Sequence, residues 1–241
     1  MDPALAARLL EINRRFYDEF GDSFSATRLR LQPGVLRILG GLEGSESVLD
    51  LGCGNGGLAR EVARRGHHGA YLGIDSSLPL LREAQKHQAA GFPIAFLQAD
   101  LAHFSLVADG LPLRPSWDLV TAFAVLHHIP GTALRLELLR AVHRVLAPVG
   151  RFVLSNWQFL NSERLESRIR PWEAAGINPT EVDPGDHLLD WKRGGQGLRY
   201  VHHFSEEELS ALAVESGFRV AESFLSDGEN GRLGLYQIWE K

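Results

Sequence analysis

The chain has 241 residues, 44% of them hydrophobic and 23% charged, with a net charge of −5; this is the composition of one globular domain with room for an appendage. An acidic total argues against strong non-specific nucleic-acid binding, which depends on neutralising many phosphates, although it leaves a local basic patch open. The single cysteine, Cys53, excludes an internal disulfide and a multi-cysteine zinc site, and no Cys/His/carboxylate cluster has metal-ligand spacing, so no metal is expected.

The first 46 residues read as a helical segment. Arg8, Glu11 and Arg14 interrupt its apolar positions, which a signal peptide does not tolerate. No later apolar run reaches bilayer length, and a cytoplasmic protein without a membrane partner is expected. From Ser47 strands and helices alternate: "SVLDL", then a helix over "GLAREVARRG", "AYLGID", a helix over "SLPLLREAQKHQAAG", "IAFLQAD", "WDLVTAFAVL", a helix over "TALRLELLRAVHRVLAPVG", and "RFVLSNW". Such alternation predicts right-handed crossovers and a parallel sheet covered on both faces. Residues 157–199 lack clean periodicity and read as an insertion on the substrate side. "FSEEELSALAVESG" opens with a capping box, Ser205 to Glu208, and the two runs around "SDGENGR" form an antiparallel hairpin. The expectation is one α/β domain: a helical lid over 1–46, a cofactor-binding core over 47–156, the insertion over 157–199, and a helix and hairpin over 200–241. Its Rossmann-like sheet has seven strands, five parallel plus the hairpin.

After the first strand, "VLDLGCGNGG" places four glycines within six positions, and Gly52, Gly54 and Gly57 satisfy the spacing G-x-G-x-x-G. In a dinucleotide site the helix that follows holds a pyrophosphate. Asp50, two residues before the first glycine, would repel it. S-adenosylmethionine reverses the argument, because it carries an ammonium and a sulfonium at this end and no phosphate. Asp75 ends the second strand, where it can accept from both ribose hydroxyls. Asp100 ends the third, where it can accept from an adenine amino group while Leu101 packs on the ring. Each acid alone reads as a cap or turn residue; three at the ends of successive strands read as a ligand wall.

These motifs, with "YLGIDSS" and "WDLVTAFAVLHHI", resemble the class I S-adenosylmethionine-dependent methyltransferases over residues 47–156. The resemblance implies that cofactor, a cofactor wall of Asp50, Gly52, Cys53, Gly54, Asn55, Gly56, Asp75, Ser76, Asp100, Leu101 and Phe123, and a cover from Tyr17. Cys53 reads as a small packing residue in that turn. A narrower resemblance joins "FYDEFGDSFSATR" and "RYVHHFSEEELSAL" to the tRNA wobble-uridine methyltransferases, which esterify 5-carboxymethyluridine. It rests on Tyr17, Phe24, Ser25, Thr27, Arg28, Arg199, Tyr200, His202, the pair His127 and His128, and Trp157. It implies a tRNA acceptor and a small activator subunit as partner.

A carboxylate acceptor is already ionised at neutral pH and needs no general base. It does need a holder. Arg199 offers a planar fork of donors, with Tyr200 or His202 beside it and Arg28 reaching in from the lid. For an amine or hydroxyl acceptor, His127, His128, His202 or His203 would be the base. Arg164, Arg168 and Arg170, interleaved with Glu163 and Glu166, read as a solvated helical face. A small-metabolite acceptor and a non-catalytic, cofactor-binding scaffold remain the rival readings.

Overall fold

A computed structural model describes residues 1–25, 30–86, 91–114, 116–192 and 195–241. In chain order it comprises α1 (Pro3–Ser25), α2 (Pro33–Leu39), β1 (Val48–Leu51), α3 (Gly57–Arg64), β2 (Tyr71–Asp75), α4 (Leu78–Lys86), β3 (Ile94–Gln98), β4 (Trp117–Phe123), α5 (Thr132–Val145), β5 (Leu146–Trp157), α6 (Glu163–Glu166), β6 (Ile169–Arg170), β7 (Asp186–Trp191), β8 (Gly197–His202), α7 (Glu206–Glu215), β9 (Arg219–Ser226) and β10 (Gly234–Glu240).

Seven strands form the main sheet in the order β3-β2-β1-β4-β5-β10-β9. β1 pairs in parallel with β2 on one side and β4 on the other. The chain therefore reverses its winding direction at β1, which opens a crevice at the carboxyl ends of β1 and β4. β10 runs antiparallel to β5 and β9. All four residues of β1 are buried, as a strand covered on both faces requires. Leu136, Leu139, Val142, Leu209 and Leu212 of α5 and α7 pack on one face. Val35, Leu39, Leu58 and Val62 of α2 and α3 pack on the other. The capping box forms as expected: the Ser205 side chain accepts from the Glu208 amide at 3.1 Å.

The segment expected to be irregular contains a second sheet, β6-β7-β8, antiparallel throughout. Its third strand continues through residue 199 to His202. The strand signal is hidden because this sheet is also covered on both sides. Leu188 packs with Leu5 and Leu9 of α1, while its neighbour Leu189 packs with Phe159 and Leu165. Consecutive buried leucines erase the period-two alternation that marks a half-exposed strand. No described helix is long and apolar enough to cross a membrane.

Candidate active site

α1, the carboxyl ends of β1, β2, β4 and β5, the segment after β3, α6 and the second sheet enclose a cavity of about 1100 Å³. Asp50, Gly52, Cys53, Gly54, Asn55, Asp75, Ser76, Asp100, Leu101 and Phe123 line one side. Gly52 and Gly54 have φ of +69° and +55°, a region that L side chains adopt only at a cost. A Cβ at Gly52 would fall 2.4 Å from Val125 Cγ2, whereas one at Gly54 would meet nothing within 4 Å. Gly54 is thus backbone presented to open space. Gly56 departs from expectation. It starts α3 with φ +74° and a Cβ there would lie 2.9 Å from Ala84 Cβ, so it serves close packing of α3 on α4 and does not line the cavity.

Asp50 is buried and accepts from Tyr71 Oη at 2.5 Å and Thr121 Oγ1 at 2.7 Å. Burial pushes its carboxyl up to about 6 despite these two donors, and the nearby Asp75 charge pushes the same way. Asp75 accepts from the amides of Gly54 and Ser77, both at 2.8 Å; burial raises its pKa against those amides. Asp100 caps the turn after β3 through the Ala102 amide at 2.9 Å and keeps a half-exposed carboxylate at the cavity edge. Cys53 packs against Gly73, and burial lifts its thiol well above the ordinary value, which makes it unreactive. The wall is anionic and has glycine backbone facing space. It would repel a pyrophosphate and suits a ligand with a cationic end and hydroxyl and amine groups beyond it.

The opposite side carries Arg199, 6% exposed, with its guanidinium carbon 5.0 Å from the Trp157 ring centre and 5.1 Å from that of Phe16. Tyr200 and His202, expected beside it, are elsewhere. Alternation along β8 turns both to the opposite face. There the Tyr200 hydroxyl donates to Asp186 at 2.8 Å, and His202 sits between Asp186, 2.6 Å away, and Glu208, 3.0 Å away. Arg135 completes this buried cluster, donating to Tyr200 Oη at 3.2 Å and lying 3.7 Å from Asp186. Thr27 and Arg28, with the side chains of Phe24 and Ser25, lie outside the described residues.

His127 does line the cavity. Its Nδ1 accepts from the Trp157 amide at 3.3 Å, so the neutral ring carries its proton on Nε2 and offers a donor there. His128 has the other tautomer: Nδ1 donates to the Tyr200 carbonyl at 3.1 Å, and Nε2 accepts from Tyr17 Oη at 3.0 Å. Asn13 Oδ1 accepts from the Tyr200 amide at 2.9 Å. α1, His128 and β8 are stitched together, with Tyr17 on the cavity wall. His203 packs on Phe159 away from the cavity, and burial depresses its pKa.

Several lining residues carry no clear sequence signal. Asn156 is buried, and neither amide atom has a hydrogen-bond partner among the described residues; its place just past "VLS" at the end of a parallel strand was the available cue. Ala124, also lining the cavity, holds φ +58°, a strained value for a non-glycine residue. Arg164 and Arg168 line the cavity as well, against the expectation of a solvated face. Among the described residues, no three His, Cys, Asp or Glu side chains are grouped as metal ligands.

Residues 48–150 match a methyltransferase domain family. Over 208 residues, 86% of each chain, the sequence is 33% identical to a methyltransferase-named protein of Encephalitozoon cuniculi. The chain belongs to the S-adenosylmethionine-dependent methyltransferases. This methyltransferase shares its fold with an S-adenosylmethionine-dependent methyltransferase of Methanosarcina mazei, at TM-score 0.65 and 23% identity over 88% of this chain and 99% of that one. It is 33% identical to the ubiquinone biosynthesis O-methyltransferase of Alkalilimnicola ehrlichii over 50% of this chain and 45% of the relative. It is 30% identical to the tRNA (carboxymethyluridine(34)-5-O)-methyltransferase of Arabidopsis thaliana over 59% of this chain and 32% of the relative. The matched part of the methyltransferase thus spans less than half the length of each of these last two relatives.

Proposed function

We propose that this methyltransferase esterifies a carboxylate, with 5-carboxymethyluridine in tRNA as the acceptor. The observation that supports this is Arg199: a guanidinium buried between two aromatic rings in the cavity wall facing the acids of the cofactor side. A planar guanidinium in the cavity wall matches a carboxylate edge to edge. The bound cofactor supplies an electrophilic methyl group on a sulfonium. Asp50 and the Gly52–Gly54 backbone hold its cationic end, Asp75 its ribose, and Asp100 with Leu101 its adenine. Tyr17 covers the cavity, and the protein's remaining work is alignment and exclusion of water. A carboxylate is already a nucleophile at neutral pH and needs no general base, which agrees with His127 Nδ1 accepting from the Trp157 amide.

The test is incubation of the purified protein with labelled cofactor and, separately, 5-carboxymethyluridine-bearing tRNA and a catechol of the kind that O-methyltransferases use. Base-labile label in the tRNA alone supports the reading. Base-stable label in the catechol overturns it in favour of a hydroxyl acceptor.

A further inference from the structure

Acids and bases both line the cavity, Glu11, Arg14, Arg30 and Asp227 among them. The acids Asp50, Asp75 and Asp100 lie on the cofactor side, and Arg164, Arg168, Lys192 and Arg199 line the side built by α6 and the second sheet. Most arginines elsewhere on the surface have carboxylate partners: Arg14 and Arg15 pair with Glu11, Arg64 and Arg65 with Glu61, and Arg219 with Glu240. On the second sheet Arg170 and Lys192 share Asp190. Arg164 and Arg168 line the cavity without such a pair. Neither has a carboxylate or side-chain hydrogen-bond partner among the described residues. Their positions also divide α6 and the turn after it by sign. Arg164, Leu165 and Arg168 line the cavity, while Glu163 and Glu166 do not and are exposed. Arg164 is in α6 and Arg168 in the turn that follows it, closed by the Arg168 amide donating to the Leu165 carbonyl at 3.0 Å, so both guanidinium groups reach the cavity from one short segment and can converge on one tetrahedral anion. Leu165, buried against Phe159 and Leu189, fixes the turn that presents them.

We infer that Arg164 and Arg168 form a phosphate subsite at the mouth of the acceptor side, so that the acceptor is a nucleotide within an RNA strand, its phosphodiester held beside its reacting carboxylate. This rests on the carboxylate reading for the reacting group, but not for the phosphate. Arginine forks bind phosphate oxygens in pairs, and contacts at a water-exposed rim contribute a salt-dependent affinity while the buried Arg199 handles the group that reacts. The open side of the cavity is where a continuing chain leaves.

The test has two arms. In the binding arm, protein saturated with S-adenosylhomocysteine is titrated with labelled tri-uridylate, with uridine 5′-monophosphate and with uridine. Tri-uridylate should bind at least tenfold more tightly than uridine. The doubly substituted Arg164→Gln, Arg168→Gln protein, checked as folded by its S-adenosylhomocysteine binding, should lose at least tenfold for tri-uridylate. Its slope of log affinity against log salt should fall by about 0.7, for one single-strand phosphate contact. In the turnover arm, the ratio of KM for 5-carboxymethyluridine nucleoside to KM for an anticodon stem-loop bearing it should collapse toward one in the same variant. Equal binding of uridine and tri-uridylate, or loss of both alike in the variant, overturns the subsite. Binding of the monophosphate as tightly as tri-uridylate overturns the RNA part and makes the acceptor a free nucleotide. Tri-uridylate binding that depends on both arginines, without methyl ester on any acceptor, supports the subsite while overturning the carboxylate reading.

Discussion

His202 Nδ1 lies 2.6 Å from Asp186 Oδ1, and both side chains are shut away from solvent beneath the second sheet. Burial opposes the imidazolium, but the hydrogen bonds to Asp186 and Glu208 more than offset it, and the His202 pKa ends above its ordinary 6.5. A histidine whose folded pKa is raised stabilises the fold fully below pH 6.5 and loses that contribution as pH rises through the folded value. Thermal stability should therefore decline from pH 6.5 upward, and His202→Gln should flatten that decline. Asp186→Asn leaves Arg135 and His202 without their shared anion and should cost about 3–5 kcal/mol. Melting curves between pH 6 and 9 check both; an Asp186→Asn protein as stable as the parent would contradict the account.

Asp50 shifts stability in the same direction over a lower pH window, but there it is the charged form that burial disfavours. Its folded value of about 6 lies above the ordinary 3.8, so the ligand-free protein loses stability as pH rises between those values. Asp50→Asn should remove that loss, up to about 3 kcal/mol, and raise the melting temperature at pH 7.5. A cationic ligand favours the ionised carboxylate, so affinity for S-adenosylmethionine should climb as pH rises through 6. The Asn variant should bind about tenfold or more weakly, without that climb. Calorimetric titrations at pH 5.5 and 7.5 decide the matter.

The two cavity-lining glycines of the loop should respond differently to a methyl group. Gly52→Ala puts a Cβ against Val125 in a left-handed conformation and should destabilise the fold by roughly 2 kcal/mol or more. Gly54→Ala meets open space and carries only the conformational cost of roughly 1–2 kcal/mol, while obstructing the ligand. Its fractional loss in S-adenosylhomocysteine affinity should exceed that of any other single methyl added to the loop. Paired melting and binding measurements separate the two.

Arg199→Ala should reduce turnover at least a hundredfold and leave cofactor affinity within about twofold, since the side chain is on the acceptor side. Arg199→Lys should recover only part of the rate, because an ammonium lacks the planar fork and the stacking on Trp157 and Phe16. Steady-state kinetics with cofactor titrations test this, and an Ala variant with parental turnover would remove the main support for a carboxylate acceptor.

The cofactor side was readable from sequence because its signals are local. Apolar strands ended by glycine or aspartate mark β1, β2 and β3, and Asp50, Asp75, Asp100 and Leu101 follow at their tips. The acceptor side was less so. β7 hides between two packed layers, with Leu188 and Leu189 buried in succession. Arg164 and Arg168 sit in the same charge pattern as a solvated face, and only the fold turns them toward the cavity. Strand alternation in "LRYVH" puts Tyr200 and His202 on the face opposite Arg199, a clue present in the letters once the segment is known to be extended. The Asn156 side-chain amide has no hydrogen-bond partner among the described residues, and its type alone predicts nothing.

The buried cluster of Arg135, Asp186, Tyr200, His202 and Glu208 also governs how such a protein can be re-targeted. Asp186, Tyr200 and His202 belong to the acceptor-side sheet, whereas Arg135 and Glu208 belong to helices of the nucleotide-fold core. A chimera that exchanges residues 158–201 for the corresponding segment of a relative therefore splits an ionic set across its seam. Grafts that carry over all five positions as a unit should express as folded hybrids with the donor's acceptor preference, and those that separate them should aggregate whatever the quality of the new pocket.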